Sequence, residues 1–114
     1  RLLDNIYELL KRTFEVTREQ VGGLEVVQAL RAVAPLQEVR RASHRLVASQ
    51  FATIVAELLA LPVDERLLTQ AWLSIDTGYA IVEMALEDES LSTDILLREG
   101  SRMIQLYWQD LLPN

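Results

Sequence analysis

Any chemistry in this chain has to come from a few polar and aromatic side chains, because the sequence holds one histidine and no cysteine. His44 lies in a polar stretch two helical turns before Phe51, where an imidazole could contact a small molecule or sense its charge. A histidine that is exposed, or bonded within the fold, accounts for the same residue equally well. Trp72 could stack on an aromatic ligand or belong to the core, and the sequence leaves both interpretations open.

Asp76 is the candidate for recognition of a charged or polar ligand. It lies on a polar strip that also holds Thr69, Glu83 and Glu87, between two apolar faces of one predicted helix. A carboxylate there could bind a cationic or hydroxylated ligand, whereas such a strip is also the usual solvated surface of a helix. The hydroxyls of Thr69 and Thr77 fit either interpretation. The predicted ligand-binding residues are His44, Phe51, Thr69, Trp72, Leu73, Asp76 and Thr77.

Catalysis and metal binding are not expected from these residue types. A single histidine, the lack of cysteine and the lack of a glycine-rich loop leave only scattered carboxylates. The acidic run Glu87–Glu89 does not have the alternating ligand spacing of a calcium loop. Arg40, Arg41 and Arg45 stand in an acidic chain without interleaved aromatics, which favours a salt-bridged surface over a nucleic-acid site. We therefore expect no enzyme activity, no cofactor and no metal.

The composition is that of one small acidic domain. The chain has 114 residues, half of them apolar, and a formal net charge of −6, so residues 1–114 are expected to form a single domain that does not itself grip a phosphate backbone. The lack of cysteine is compatible with a reducing cytoplasm, and no apolar run is long enough to span a membrane. We expect a cytoplasmic protein. Because Arg1 opens directly onto an amphipathic helix, the chain is expected to be the C-terminal part of a longer protein.

The elements that must position these residues are all predicted to be helices. Apolar residues recur at spacings of three and four throughout, and no alternating stretch of strand length is present. Breaks are predicted at Gly22-Gly23, Pro35, Leu61-Pro62, the stretch from Glu87 to Ser92, and Pro113. The predicted helices cover approximately residues 1–18, 24–33, 35–59, 64–88 and 93–112. The fold class is therefore all-α with about five helices.

Two predicted helices in the middle of the chain differ in the apolar surface that they offer. The third has a polar middle between Arg40 and Gln50, so its centre is expected to be the least core-like part of the domain. The fourth has two apolar faces, and Gly78 within it predicts a tight helix crossing. Its wider face, expected to be buried, holds Leu68, Ala71, Trp72, Ile75, Gly78, Tyr79, Val82, Ala85 and Leu86. Its second face holds Leu73, Ala80, Ile81 and Met84.

The last predicted helix has an apolar arc wide enough to touch more than one neighbour. Its polar residues are confined to one narrow side, and Ser90 or Ser92 can cap its start. We expect the last two helices to form an antiparallel hairpin, and two such hairpins to pair about a two-fold axis as a four-helix bundle. The predicted homodimer interface is formed by Tyr79, Val82, Leu86, Leu96, Met103, Tyr107 and Leu111.

The order of these elements resembles the C-terminal effector-binding and dimerisation domain of TetR-type transcriptional regulators. The segment Ala71–Gly78 is similar to the part of that family's penultimate helix where an aromatic residue precedes a glycine at a tight crossing. The final stretch, residues 95–112, resembles the family's dimerising helix. Many members have histidine before that glycine, whereas this chain has Thr77, so a pocket contact at this position does not carry over directly.

The resemblance implies a division of labour between two domains. A helix-turn-helix domain, absent from this segment, would bind operator DNA, while this domain would form the homodimer and bind a small-molecule effector. The resemblance leaves open which face of residues 64–88 lines the pocket and which meets the partner subunit. A helical dimerisation or scaffold module without a ligand is the alternative function, and an internal cavity distinguishes the two.

Overall fold

The computed structural model describes residues 5–20 and 22–111, and these residues form helices connected by turns, without a β-strand. In chain order the helices are α1 (Ile6–Glu19), α2 (Gly23–Ala32), α3 (Ala34–Leu59), α4 (Glu65–Glu87) and α5 (Thr93–Trp108). The predicted all-α class and the five predicted helices are confirmed. The start of the first predicted helix, at Arg1, and the end of the last, at Leu112, lie outside the described residues.

Local capping explains where the long helices begin and end. Helix α3 ends because Ala60 adopts a left-handed conformation, φ 54°, and the N–H of Leu61 turns back to the carbonyl of Ala56 at 2.9 Å. Asp64 accepts a hydrogen bond from the Leu67 N–H at 2.8 Å, which caps the start of α4. Ser92 accepts from the N–H of Ile95 at 3.3 Å, so Ser92 is the predicted serine that caps α5.

The described chain divides into two compact units, which are considered separately. The first unit contains the residues up to Gln28 and those from Gly78 onwards. In it α1 packs on α5, because each helix has a stripe of buried residues at helical spacing. Trp108 is fully buried in the core of this unit. The buried apolar residues of α1 and α5 are Ile6, Leu10, Phe14, Leu97, Ile104 and Trp108.

The tight helix crossing lies at Gly100 rather than at Gly78. A Cβ atom at Gly78 would lie 3.5 Å from Cδ2 of Leu10, an ordinary van der Waals contact. A Cβ atom at Gly100 would lie 2.6 Å from Cδ1 of Ile81 and 2.8 Å from its Cγ2. The prediction for Gly78 was therefore wrong in position, because an added Cβ would clash at Gly100 of α5, against Ile81 of α4, and not at Gly78.

The second unit, Ala29–Thr77, contains α3 and the first half of α4. Small residues dominate the buried side of both helices, whereas several large apolar residues of α3 are exposed. The prediction that the centre of α3 is the least core-like part of the domain was wrong, because His44 and Ala48 are buried there, whereas no residue of 29–43 is buried. The residues of α3 that are buried are His44, Ala48, Ala52, Val55 and Ala56.

The buried side of α4 also differs from the predicted wide face. Ala71, Val82 and Ala85 of the predicted wide face are buried, but so are Ser74 and, from the predicted second face, Ile81, while Leu73 and Met84 of that second face are exposed. Glu83, which the sequence assigned to a solvated strip, is buried as well. The observed buried side of α4 differs from the predicted one because small side chains allow close packing. Hydrophobic periodicity instead favours the larger Trp72 and Ile75, which are only half-buried.

Candidate functional site

The candidate site lies in the second unit, where α4 follows α3 after the short connection 60–64. His44, from the middle of α3, brings its Nδ1 to 3.3 Å from Oδ1 of Asp76 on α4. The imidazole is buried, with 10% of its side chain exposed, whereas 55% of the Asp76 side chain is exposed. Two residues that the sequence predicted separately as ligand contacts are therefore brought together.

This geometry lets one carboxylate orient the only imidazole of the chain. When His44 is protonated, it forms an ion pair with Asp76. When His44 is neutral with its proton on Nδ1, it donates to Asp76, and Nε2 is then the acceptor nitrogen. Asp76 thus orients the ring in both states, and its exposed part is accessible to solutes.

Trp72 lies one turn before Asp76 on α4 and is covered by Arg45. The guanidinium carbon of Arg45 lies 4.2 Å from the centroid of the indole ring, which is a cation–π contact. The indole Nε1 is buried and has no hydrogen-bond partner in the structure. Trp72 therefore joins an apolar ring, a donor and a neighbouring positive charge at one place. The sequence predicted Arg45 as part of a salt-bridged surface, and its contact with Trp72 could not be predicted without the register of α3 against α4.

The other predicted ligand residues have different surroundings. The Thr69 hydroxyl donates to the carbonyl of Glu65 at 2.8 Å, so it is engaged within its own helix. Thr69 and Leu73 are exposed, while Phe51 and Thr77 are half-buried. The structure thus assembles His44, Asp76 and the Arg45–Trp72 pair.

Two buried polar residues near this cluster were missed by sequence reasoning. Gln70 and Ser74 are both buried, and the Ser74 hydroxyl donates to the Gln70 carbonyl at 2.8 Å. They lie four residues apart on the side of α4 that also carries Leu67 and Ala71. Leu67, Gln70, Ala71 and Ser74 lie on one side of α4 at helical spacing, and two of them are small. This pattern was the signal in the sequence for a buried face.

The predicted interface residues divide by exposure within the first unit. Val82 is buried within the chain, and Tyr79, Leu86, Leu96 and Leu111 are half-buried. Met103 and Tyr107 have exposed fractions of 61% and 45%, and they share this exposure with two α5 residues that were not singled out. We define the α5 arc as these four exposed apolar residues: Ile95, Met103, Leu106 and Tyr107.

A second polar cluster joins α1 to the start of α5. The Tyr7 hydroxyl donates to Oδ1 of Asp94 at 2.6 Å, and Nε of Arg98 donates to Oδ2 of Asp94 at 2.8 Å. The Arg98 guanidinium also lies 4.3 Å from the centroid of the Tyr7 ring. The hydrogen bond from Tyr7, followed by that from Arg98, lowers the pKa of Asp94, and the same Tyr7–Asp94 bond raises the pKa of Tyr7 above its ordinary value of 10.0.

Replacing Tyr7 with Phe tests this cluster through the pH dependence of stability. A lowered folded pKa means that Asp94 stabilises the fold above its ordinary pKa, and that this contribution is lost as the pH falls through the folded value. A raised pKa means that Tyr7 contributes below its ordinary pKa, and that this is lost as the pH rises through its folded value. Urea midpoints of the wild type and of Tyr7→Phe should differ most near pH 7, and the difference should begin to narrow below about pH 4 and above about pH 10, the ordinary carboxyl and phenol pKa values. A constant gap across this range would contradict the assignment.

The described surface also has an open depression along the outer side of α1. Its volume is about 600 Å³, and it lies beside the exposed residues Leu9 and Val16. The residues that line it are Asn5, Glu8, Leu9, Lys11, Arg12, Glu15, Val16 and Glu19. Because both acidic and basic side chains line it, the depression has no single charge preference.

Within residues 5–20 and 22–111, no group of three or more His, Cys, Asp or Glu side chains could hold a metal ion. No helix in this described part of the chain is both long and apolar enough to cross a bilayer. Comparison with protein-family models, with curated proteins and with solved structures found no match.

Proposed function

We propose that this chain is the small-molecule-sensing and dimerisation domain of a TetR-type transcriptional regulator. In this proposal a small molecule binds beside His44, Trp72 and Asp76, and the protein acts as a cytoplasmic homodimer without enzymatic activity. A helix-turn-helix domain outside this segment contacts DNA. The proposal rests on the resemblance of Ala71–Gly78 and residues 95–112 to that family.

The observation that carries the sensing part is the His44–Asp76 pair. A buried imidazole held at 3.3 Å by a half-exposed carboxylate is a polar group fixed in place at the edge of the packed interior. Trp72, with its buried and unpartnered indole N–H, supplies an apolar ring and a donor one turn away. Small-molecule sites typically combine a mostly apolar surface with a small number of precisely placed polar groups.

The dimerisation part is supported by the α5 arc. Ile95, Met103, Leu106 and Tyr107 recur at helical spacing, and each is at least 45% exposed. Burial of these residues against a second α5 arc would stabilise the dimer by about 25 cal/mol for each Å² of apolar surface removed from water. An isologous contact of this kind generates a closed dimer.

Ligand binding would be coupled to DNA binding through the preference of the ligand for one arrangement of the dimer. If the ligand favours the arrangement with weaker DNA affinity, DNA must reduce the affinity for the ligand by the same factor. A coupling of about 1–3 kcal/mol, or roughly 5–150-fold, is typical of such systems. The alternative, a dimerisation or scaffold module, shares the α5 arc but predicts no bound ligand.

Asp76→Asn is expected to abolish ligand retention in native mass spectra of the purified chain. The wild type should carry a reproducible extra mass, and the variant should lose it because an amide cannot pair with protonated His44 as a carboxylate does. Glu89→Gln, the same chemical change in the exposed turn after α4, is the control and should keep the extra mass. Spectra without extra mass in any of the three proteins would favour the scaffold alternative.

Met103→Glu is expected to reduce the dimer in the same spectra to single chains. The substitution places a charge in the middle of the exposed α5 arc, where a two-fold contact would bring two copies of it close together. Gln109→Glu adds the same charge just beyond the end of α5 and should leave the mass unchanged. A Met103→Glu protein with the mass of the wild-type assembly would refute the α5 interface.

A further inference from the structure

The groups of the candidate site that have no hydrogen-bond partner are mainly donors. Among residues 5–20 and 22–111, no carboxylate lies within ion-pair distance of Arg45, whose contact is with the ring of Trp72. The buried indole N–H of Trp72 also has no acceptor. The carboxylate of the site, Asp76, already lies 3.3 Å from Nδ1 of His44. Donors without acceptors match a ligand that offers oxygen atoms or a negative charge.

The contact with Trp72 holds Arg45 in place and leaves its N–H groups available. Its guanidinium carbon lies 4.2 Å from the centroid of the indole ring. Such a contact engages the positive charge, while the N–H groups of the guanidinium can still donate to an oxyanion. Arg41, Arg98 and Arg102, by contrast, each pair with a carboxylate of their own helix. Arg45 is therefore a positioned cation that can accept a carboxylate from outside the chain.

The charge of the site fits one negative group on the ligand. Asp76 brings one negative charge, and protonated His44 offsets it at 3.3 Å. Arg45 then gives the cluster one net positive charge. A guanidinium binds a carboxylate through two parallel hydrogen bonds, and a single guanidinium beside Asp76 suits a singly charged carboxylate better than a doubly charged phosphate. The half-buried ring of Trp72 supplies apolar surface at the same place.

We infer that the effector of this domain is an organic acid, whose carboxylate binds Arg45 and whose apolar body lies against Trp72. The inference rests on the proposed function, because it names the class of molecule that the same site binds. Asp76 acts through His44 in this arrangement and does not contact the carboxylate. A cationic ligand, which Asp76 alone would favour, is the competing class that the experiment separates.

Benzoate and hexanoate are the probes, and the indole N–H signals of the chain report their binding. The chain has two tryptophans, so its proton–nitrogen correlation spectrum has two indole signals, which Trp72→Phe assigns. Either carboxylate should shift the Trp72 signal until it saturates. The signal of Trp108, which is fully buried in the other unit, should stay in place.

Probes of different charge separate the ligand classes. Benzyl alcohol and benzylammonium carry a similar ring without a negative charge, so they should leave the Trp72 signal unchanged. The inference would be overturned if neither benzoate nor hexanoate shifted that signal, or if benzyl alcohol or benzylammonium shifted it equally. Tighter binding of phenyl phosphate than of benzoate would also overturn it.

Arg45→Gln tests the residue that is assigned to the carboxylate. It should weaken the binding of benzoate at least about tenfold, because it removes hydrogen bonds to a charged group. Arg66→Gln is the matched control, since Arg66 is exposed in the same unit, pairs with no described carboxylate and contacts no described ring. It should bind benzoate as the wild type does. Equal loss in both variants, or unchanged binding by Arg45→Gln, would overturn the assignment, and circular dichroism checks that each variant is folded.

Native mass spectra separate the failure of this inference from the failure of the proposed function. A retained molecule that is neutral or cationic would overturn the organic acid and leave the sensing role intact. No retained mass, together with no response to benzoate or hexanoate, would contradict both. An organic acid that Arg45→Gln loses and Arg66→Gln keeps is the expected result.

Discussion

Trp108→Ala is expected to lower the free energy of unfolding by about 3–5 kcal/mol, the usual range for removing a buried aromatic ring. Trp108 is fully buried at the end of α5, in the unit where α1 packs on α5. Truncation leaves a cavity and removes the largest fully buried side chain among the described residues. Because domains are stable by only about 5–15 kcal/mol, the loss is a large part of the total and should appear as a much lower urea midpoint.

The adjacent Tyr107 is the matched control. Its exposed fraction is 45%, and its ring meets that of Trp108 edge-on, with centroids 6.3 Å apart. Tyr107→Ala should therefore cost only about 0.5–1.5 kcal/mol, the value of an aromatic pair. Both variants should be compared at a concentration low enough to exclude assembly. Similar midpoints for the two variants would contradict the burial assigned to Trp108.

Gly100→Ala is expected to lower the free energy of unfolding, although alanine is the better helix former. The added methyl group would lie 2.6–3.0 Å from three side-chain carbons of Ile81. Ile81 is branched at Cβ, so it cannot rotate away from the methyl group freely. Overpacking of this kind costs about 1–3 kcal/mol, which exceeds the gain of about 1 kcal/mol in helix propensity.

Gly78→Ala is the control for this experiment because it makes the same chemical change in α4. Its methyl group would meet Leu10 at 3.5 Å, an ordinary distance, so this variant should be stabilised by up to about 1 kcal/mol. In an Ile81→Ala background, the penalty of Gly100→Ala should disappear, and a double-mutant cycle measures that coupling. Destabilisation by Gly100→Ala that persists in this background would show that Ile81 is not its cause.

Helix type and number could be predicted from the sequence because they depend on local signals. Spacings of three and four residues, the glycine pair and Pro62 bound the helices within a few residues of their positions in the structure. Ser92 was one of two serines proposed to cap α5, and the hydrogen bond to Ile95 selects it. These features need no knowledge of which helices are neighbours.

The buried faces were harder to predict, because small residues can be buried by close packing without raising the hydrophobicity of a face. Ala48, Ala52 and Ala56 are buried in α3, while larger residues such as Leu46 remain exposed. The tight crossing fell at Gly100 because the partner side chain, Ile81, comes from a different helix. A single sequence does not contain that pairing.

Only part of the candidate site could be predicted, because a single sequence does not show which residues of two helices are neighbours. His44 and Asp76 were each chosen for their chemistry, and only the register of α3 against α4 brings them to 3.3 Å. The contact of Arg45 with Trp72 depends on that register too. The effector-binding role and the homodimer remain predictions that the proposed measurements address.

The two tryptophans divide between the two compact units, and this has a spectroscopic consequence. Trp72 belongs to the unit Ala29–Thr77, and Trp108 belongs to the unit that contains α5. Trp108 is fully buried, whereas Trp72 is half-buried beneath a guanidinium group. Each unit therefore carries one intrinsic fluorophore in its own environment, so the emission spectrum of the unlabelled chain can follow the melting of each unit separately.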